Sequence, residues 1–213
     1  MKIGVLGSGN VGQALASGAV AQGHQVMVGS RDPQGEKTQA AIAALGAQAT
    51  AGTYADVARF SDVVFLTVPW RAAQETLEQA GVENLAGKVL VDVTNAVVWG
   101  PNGPSISPDL TKSAAEMVQG WAPEAHVVKA FDHVGANLMP DGKQLGEPAT
   151  LFIAGNDDAA KQTVAAFAEG LGWDVVDMGG IEQARHVESL AVMWMAYARK
   201  NGSREHAFKL LRR

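Results

Sequence analysis

Residues 1–12 read MKIGVLGSGNVG, and the fold of the chain turns on them. Ile3, Val5 and Leu6 form a short apolar run with the look of a buried parallel strand. The run leads straight into Gly7-Ser8-Gly9-Asn10-Val11-Gly12, a G-x-G-x-x-G, and helical periodicity begins at Gln13-Ala14-Leu15-Ala16. Gly7 permits the tight strand-to-helix turn, Gly9 lets the backbone approach a pyrophosphate, and Gly12 lets the helix pack close to the strand. The free amides that open the helix, and its positive dipole end, then face the phosphates. In a chain with 24 glycines the motif alone is weak, but a strand before it and a helix after it are the context a dinucleotide site requires.

Outward from this unit, a first helix over 11–21 is closed by Gly23, and residues 25–29 (QVMVG) form the second strand. Ser30-Arg31-Asp32-Pro33 follows it. A carboxylate at this strand end binds the ribose hydroxyls of NAD, whereas an arginine accommodates the 2′-phosphate of NADP. A guanidinium fork beside a hydroxyl suits a phosphate, so Ser30 and Arg31 favour NADP over NAD. Asp32 either caps the next segment or selects NAD, and Arg31 read without a ligand is an ordinary surface charge.

Composition narrows the function. With 47% apolar and 18% charged residues in 213, the chain buries a real core and nothing in it reads as disordered. A net charge of −5 argues against a nucleic-acid or anionic-membrane partner. The absence of cysteine excludes disulfides, thiolate catalysis and cysteine-ligated metal centres. The histidines at 24, 126, 133, 186 and 206 lack the close spacings of a metal site, so no metal is expected. Neither a G-x-S-x-G elbow nor a phosphate loop with Lys-Ser or Lys-Thr occurs. Only Lys2 precedes a few apolar or small residues, too short for a signal peptide, and no apolar run reaches membrane length. A cytoplasmic protein is expected.

Strand–helix alternation continues along the chain. An Ala-rich helix over 34–45 ends at Gly46, residues 47–50 read as a short strand, and Thr53 with Asp56 has capping-box spacing. Residues 63–68 (VVFLTV) and 88–93 (KVLVDV) are continuous apolar runs, and so central parallel strands. Their carboxyl ends open on the ligand crevice of an open α/β sheet and carry Val68-Pro69-Trp70 and Thr94-Asn95. Trp70 either contacts the nicotinamide or packs the next helix; Asn95 either binds a carboxamide or only forms a turn. Residues 99–108 (WGPNGPSISP) read as an irregular loop serving as lid, binding loop or oligomer contact. Ser113 and Glu116 make a second capping box.

Residues 126–131 (HVVKAF) form a third crevice-facing strand, which ends in Asp132-His133. His133 is the one histidine near the expected chemistry, either an acid/base group with Asp132 beside it or a hydrogen-bonded structural residue. Lys129, inside the strand, pairs with a carboxylate or touches cofactor. Strands over 150–154 and 173–178 flank a helix over 158–169. From Ile181 the spacing of Val187, Leu190, Ala191, Trp194 and Tyr197 predicts a helix stopping at Asn201-Gly202. Ser203 is then placed to cap a final helix carrying Phe208, Leu210 and Leu211. Met193, Trp194 and Met195 read as core, a dimer contact or a pocket wall. The pattern predicts an α/β fold: a doubly wound, mostly parallel Rossmann-type sheet with C-terminal helices over the crevice. Residues 1–213 are read as one NAD(P)-binding domain, with 1–135 the dinucleotide-binding core and 136–213 an extension completing the cleft.

GSGNVG at 7–12, VGSR at 28–31, LTVPW at 66–70, VKAFDHVGANLM at 128–139 and the ending ESLAVMWMAYARKNGSREHAFKLLRR together carry a resemblance. The chain resembles the NADP oxidoreductases that use the deazaflavin coenzyme F420, and the related cytosolic domain of the six-transmembrane metalloreductases. The resemblance implies that Ser8 to Val11 bind the phosphates of NADP(H) and that Ser30 and Arg31 bind its 2′-phosphate. It puts the nicotinamide by Val68, Pro69, Asn95 and the stretch from Ala130 to His133, with the acceptor ring stacked on it in an apolar cleft. The family's hydride passes directly between nicotinamide C4 and the deazaflavin or flavin ring, so the protein aligns two rings and needs no acid/base dyad. A proline is expected in the family where this chain has Asp132-His133-Val134-Gly135, which leaves F420, FMN and FAD all open as the second ligand. Reduction of a small imine or carbonyl is the alternative, with His133 or Lys129 as proton donor. That role predicts a loss of roughly 10²-fold in turnover on His133→Ala. A non-catalytic NADP-binding sensor is a third reading. A small-molecule hydride acceptor and a homodimer are the expected partners.

Overall fold

A computed structural model describes residues 1–107 and 111–212. In chain order the elements are β1 (Lys2–Leu6), α1 (Asn10–Ala21), β2 (Gln25–Gly29), α2 (Glu36–Leu45), β3 (Ala49–Gly52), α3 (Tyr54–Phe60) and β4 (Val63–Leu66). There follow α4 (Ala73–Ala80), β5 (Val89–Asp92), β6 (Val97–Gly100), β7 (Gly103–Ile106), α5 (Ala114–Trp121) and β8 (His126–Lys129). The last are β9 (Thr150–Gly155), α6 (Asp158–Gly170), β10 (Asp174–Asp177) and α7 (Ala184–Asn201). Eight strands form one sheet in the order β10-β9-β8-β5-β4-β1-β2-β3. The six from β8 to β3 run parallel, as their crossover helices require, while β9 pairs antiparallel with β8 and β10 parallel with β9.

Alternation along the strands divides the core into two layers. Val63 and Phe65 face Leu15, Ala19, Val164 and Phe167 of α1 and α6, whereas Val64 and Leu66 face Val57, Leu77 and Val118 of α3, α4 and α5. Both faces of the parallel strands are therefore apolar, which is why they read as continuous runs. Thr53–Asp56 and Ser113–Glu116 form the expected capping boxes, and the carboxylate of Asp157 caps α6 by accepting from the Ala160 amide (2.7 Å).

Two expectations are corrected. The segment read as an irregular loop at 99–108 is mostly a two-stranded antiparallel hairpin: β6 pairs with β7, Trp99 opposite Pro104, and Gly103 takes φ +116° at the turn. Prolines inside the run hid the strand, but a ribbon outside the main sheet leaves many amides unpaired and so accepts them; Pro108 lies outside the described residues. The helix expected after Ser203 does not form. Residues 203–212 run as an irregular strap. The Thr150 amide donates to the Phe208 carbonyl (2.8 Å), and the Leu210 amide donates to Thr150 Oγ1 (2.9 Å). These contacts and the packing of Ala207 replace the hydrogen bonds a one-turn helix would supply. The helix expected from Ile181 does form as α7, packed over β9, α5 and the hairpin, with Gly202 left-handed at its end. Among the described residues, no helix is long and apolar enough to cross a membrane.

Candidate active site: a dinucleotide cradle and a closed polar corner

The cradle is built by the turn after β1. Gly7 has φ +127°, and a Cβ there would lie 2.8 Å from Thr67 Oγ1; a Cβ on Gly12 would run into the Gly7 carbonyl oxygen. The turn and the close approach of helix to strand therefore both need glycine. Thr67 Oγ1 donates to the carbonyls of Leu6 (3.0 Å) and Gly7 (3.2 Å), and Gln13 Nε2 donates to the Ser8 carbonyl (2.8 Å), so the loop is held from both sides. Among the described residues no side chain caps α1, which leaves its first amides without a side-chain acceptor. Ser8 and Val11 are half-buried, Gly9 and Asn10 exposed, and a Cβ on Gly9 would meet nothing within 4 Å. An open, uncapped helix start beneath a bare backbone fits a pyrophosphate.

At the end of β2 the Ser30 hydroxyl oxygen accepts from the Asp32 amide (3.2 Å) and from the Thr38 hydroxyl (3.1 Å). Arg31 is exposed, and among the described residues no hydrogen bond or ion pair engages its guanidinium. Asp32 turns away: its carboxylate lies where a Cβ on Gly35 would be, at the start of α2, where a negative charge suits the helix dipole. A free guanidinium beside a fixed hydroxyl fits the 2′-phosphate of NADP.

The carboxyl ends of β4, β5 and β8 meet beside this cradle. Val68 is half-buried and Pro69 exposed, and Trp70 stacks on Trp121 of α5 with centroids 5.2 Å apart. Asn95 Nδ2 donates to the Asp132 carbonyl (2.8 Å), while Asn95 Oδ1 is buried without a donor among the described residues. Ala130 is buried, and Phe131 takes φ +62°, a strained setting for a bulky side chain that packing against Phe65 and Phe167 sustains. That kink turns Asp132 and His133 into the protein. The Phe152 amide donates to His133 Nε2 (3.3 Å), so the neutral ring carries its proton on Nδ1 and donates it to Asp132 Oδ1 (2.9 Å). Both nitrogens of His133 are therefore engaged, and its ring is 1% exposed.

Beneath the corner lies a buried ionic cluster that the sequence did not resolve. Lys129 Nζ donates to Asp92 Oδ2 (2.9 Å) and to the Thr94 carbonyl (2.5 Å), and it pairs with Glu188 Oε1 (3.2 Å). Burial alone would lower the Lys129 pKa, but the carboxylates of Asp92, Glu188 and Asp132 outweigh it and hold the ammonium well above the ordinary lysine range. Burial pushes the Glu188 carboxyl up from its ordinary value, with Lys129 opposing. Asp92 also accepts from the Thr94 amide (2.9 Å) and hydroxyl (2.6 Å). Glu188 reaches from α7 to accept from the amides of Ala114 (3.0 Å) and Ala115 (3.2 Å) at the start of α5. Sequence reading placed Thr94 at the crevice but gave no role to it or to Thr38, Thr67, Asp92 and Glu188. A lysine inside an apolar strand implies a buried counter-ion, and Asp92 is its register partner on β5; nothing local points to Glu188, 59 positions further on.

The family model for NADP oxidoreductases dependent on coenzyme F420 matches residues 2–96. The chain is 30% identical over 203 residues to the F420-dependent NADP reductase of Methanothermobacter thermautotrophicus, covering 89% of this chain and 86% of the relative. It is 34% identical over 191 residues to the rat metalloreductase STEAP3, but spans only 36% of that protein's length. A crystal structure from Arthrobacter sp. FB24, provisionally assigned as an F420-dependent NADP-reductase, superposes with a TM-score of 0.92 at 35% identity, covering 100% of both chains. On this identity and coverage, the chain belongs to the family of F420-dependent NADP oxidoreductases.

Proposed function

We propose that this chain passes a hydride directly between NADP(H) and a deazaflavin or flavin ring stacked on the nicotinamide. The observation that carries the reading is that neither His133 nor Lys129, the two nitrogen-bearing side chains of the corner, is free to donate a proton: His133 has both nitrogens engaged, and Lys129 is enclosed by Asp92, Glu188 and the Thr94 carbonyl. When bound, the nicotinamide supplies or accepts the hydride at its C4. The amides from Ser8 to Gly12 hold the pyrophosphate, and Ser30 with Arg31 holds the 2′-phosphate. Val68, Pro69, Trp70 and Asn95 line the nicotinamide face, with Ala130 buried behind them, and Asn95 Oδ1, which has no donor among the described residues, accepts from the carboxamide. Asp132 and His133 brace the backbone of that corner. Alignment of the rings and exclusion of water then do the work that acid/base groups do elsewhere.

Reduction of an imine or carbonyl ranks below this reading because it requires a proton donor at the corner. The functional unit is expected to be a cytoplasmic homodimer acting on a small-molecule acceptor, with residues 1–135 binding the dinucleotide and 136–213 completing the cleft. The deciding experiment is anaerobic NADPH consumption with deazaflavin, FMN, FAD and ferric chelate offered in turn, and NADH run in parallel. Turnover with a ring acceptor and NADPH is expected. Saturable NADPH binding without turnover on any ring would overturn the reading.

A further inference from the structure

Asp132 is the residue of the corner whose placement costs most. Its side chain is fully buried, and the backbone reaches it through the left-handed Phe131 (φ +62°), a strained entry for a bulky residue. Oδ1 accepts from His133 Nδ1 (2.9 Å), but Oδ2 has no hydrogen-bond partner among the described residues. A proton on Oδ2 would find no acceptor there. One on Oδ1 would displace the proton that His133 holds on Nδ1 while Nε2 accepts from the Phe152 amide. The geometry therefore keeps Asp132 a carboxylate with half of its hydrogen bonding unmet, and such a group is costly to bury.

Its charge is not cancelled. Asp92 and Glu188 share Lys129 (2.9 and 3.2 Å), and Asp132 makes three carboxylates around a single ammonium. Burial pushes the Glu188 carboxyl up, yet with Glu188 neutral Asp92 balances Lys129 and Asp132 is still in excess. Lys161, the other buried lysine among the described residues, pairs elsewhere with Asp158 and Asp177. Asn95 lies between the excess charge and the nicotinamide. Its Nδ2 donates to the Asp132 carbonyl (2.8 Å), and its Oδ1 is the acceptor assigned above to the carboxamide. That chain of contacts sets the carboxylate on the order of 10 Å from the ring.

A hydride leaving NADPH carries two electrons and one proton to the acceptor ring, and it leaves one positive charge on the nicotinamide. We infer that Asp132 tunes this step through its field: the uncompensated carboxylate favours NADP+ over NADPH in the site and biases the protein toward hydride donation from NADPH. The inference rests on the cofactor reading above and adds to it the direction of electron flow. At that distance, and at the effective dielectric constant of about 20 that suits protein sites, one charge shifts the balance roughly tenfold. A tenfold shift is about 30 mV on a two-electron couple.

The test is the ratio of Kd for NADP+ to Kd for NADPH, read by calorimetry without turnover in wild type and in Asp132→Asn. Asparagine keeps the shape and the acceptor for His133 and removes the charge. The ratio should rise about tenfold, through weaker NADP+ with NADPH nearly unchanged. 2′-Phospho-ADP-ribose, which lacks the nicotinamide, reports on the cradle alone, and its Kd should stay constant. Asp132→Ser, whose hydroxyl still accepts from His133, repeats the measurement where the asparagine variant does not fold. A constant ratio, or equal losses for both forms, would overturn the inference and leave the cofactor reading intact. Loss of the fold or of 2′-phospho-ADP-ribose binding in both variants also overturns it, because Asp132 is then structural. Wild type that binds none of the three ligands sinks the cofactor reading, and this inference with it.

Discussion

Arg31 shows how much one residue decides when its neighbours are fixed. The Ser30 hydroxyl beside it is held by Asp32 and Thr38, and Asp32, the carboxylate that would favour NAD, is drawn to the start of α2 instead. The guanidinium is left in solvent, open to the 2′-phosphate proposed for it above. Replacing it removes charge-assisted hydrogen bonds worth about 1.5–3 kcal/mol. Arg31→Ala should therefore raise the KM for NADPH by roughly 10- to 100-fold and leave that for NADH nearly unchanged, as steady-state assays with both cofactors will show. Equal losses for both would remove Arg31 from the 2′-phosphate. Asp32 was legible only as an ambiguity in the sequence, because its direction depends on where α2 begins.

Among the elements, the C-terminal strap was hardest to read and is held by its surroundings. Phe208 and Leu210 bond to Thr150 on β9, and Asp174 on β10 pairs with Lys209 (3.1 Å) and Arg212 (2.5 Å). Although burial opposes it, these two cations hold the Asp174 pKa below its ordinary value. The contribution is thus complete above the ordinary carboxylate pKa and is lost as pH falls through the lowered one. Asp174→Asn should cost about 1 kcal/mol or less at neutral pH, since both pairs are partly exposed. It should also speed tryptic cleavage after Arg204 and Lys209. The stability gap to wild type should close in acid; a gap that persists at low pH would show that the pairs do not tether the strap.

At the scale of the whole molecule, Lys129 joins parts of the chain that local structure keeps separate. Through Asp92, Thr94 and Glu188 it ties β5, β8 and α7 together, and Glu188 extends the tie to α5. Such a cluster adds little against a well-packed apolar alternative, but removing one member strands the others as buried charges at a cost of about 3–5 kcal/mol. Lys129→Met should therefore lower Tm by roughly 10 °C in one cooperative transition that includes α7. Because the folded pKa of Lys129 is raised, its stabilisation is complete below the ordinary lysine value and declines only as pH climbs through the raised one. The gap between wild type and variant should accordingly stay constant from neutrality to about pH 10. A gap that shrinks between pH 7 and pH 10 would mean that the carboxylates do not hold the ammonium.

Short-range chemistry was enough to reveal the parallel core of the sheet, the glycine turn and both capping boxes. Apolar runs, turn residues and cap spacings act within a few positions of themselves, so Gly7 to Gly12, Thr53 with Asp56 and Ser113 with Glu116 carry their structure wherever the chain takes them. The antiparallel entry of β9, the left-handed Phe131, the hairpin at 97–106, the strap after Gly202 and the meeting of Glu188 with Lys129 could not be read in this way. Each is set by contacts between residues distant in sequence, where burial and a partner on another element outweigh local preference. Tertiary packing alone therefore turned the polar corner inward and left the Arg31 guanidinium without a partner among the described residues.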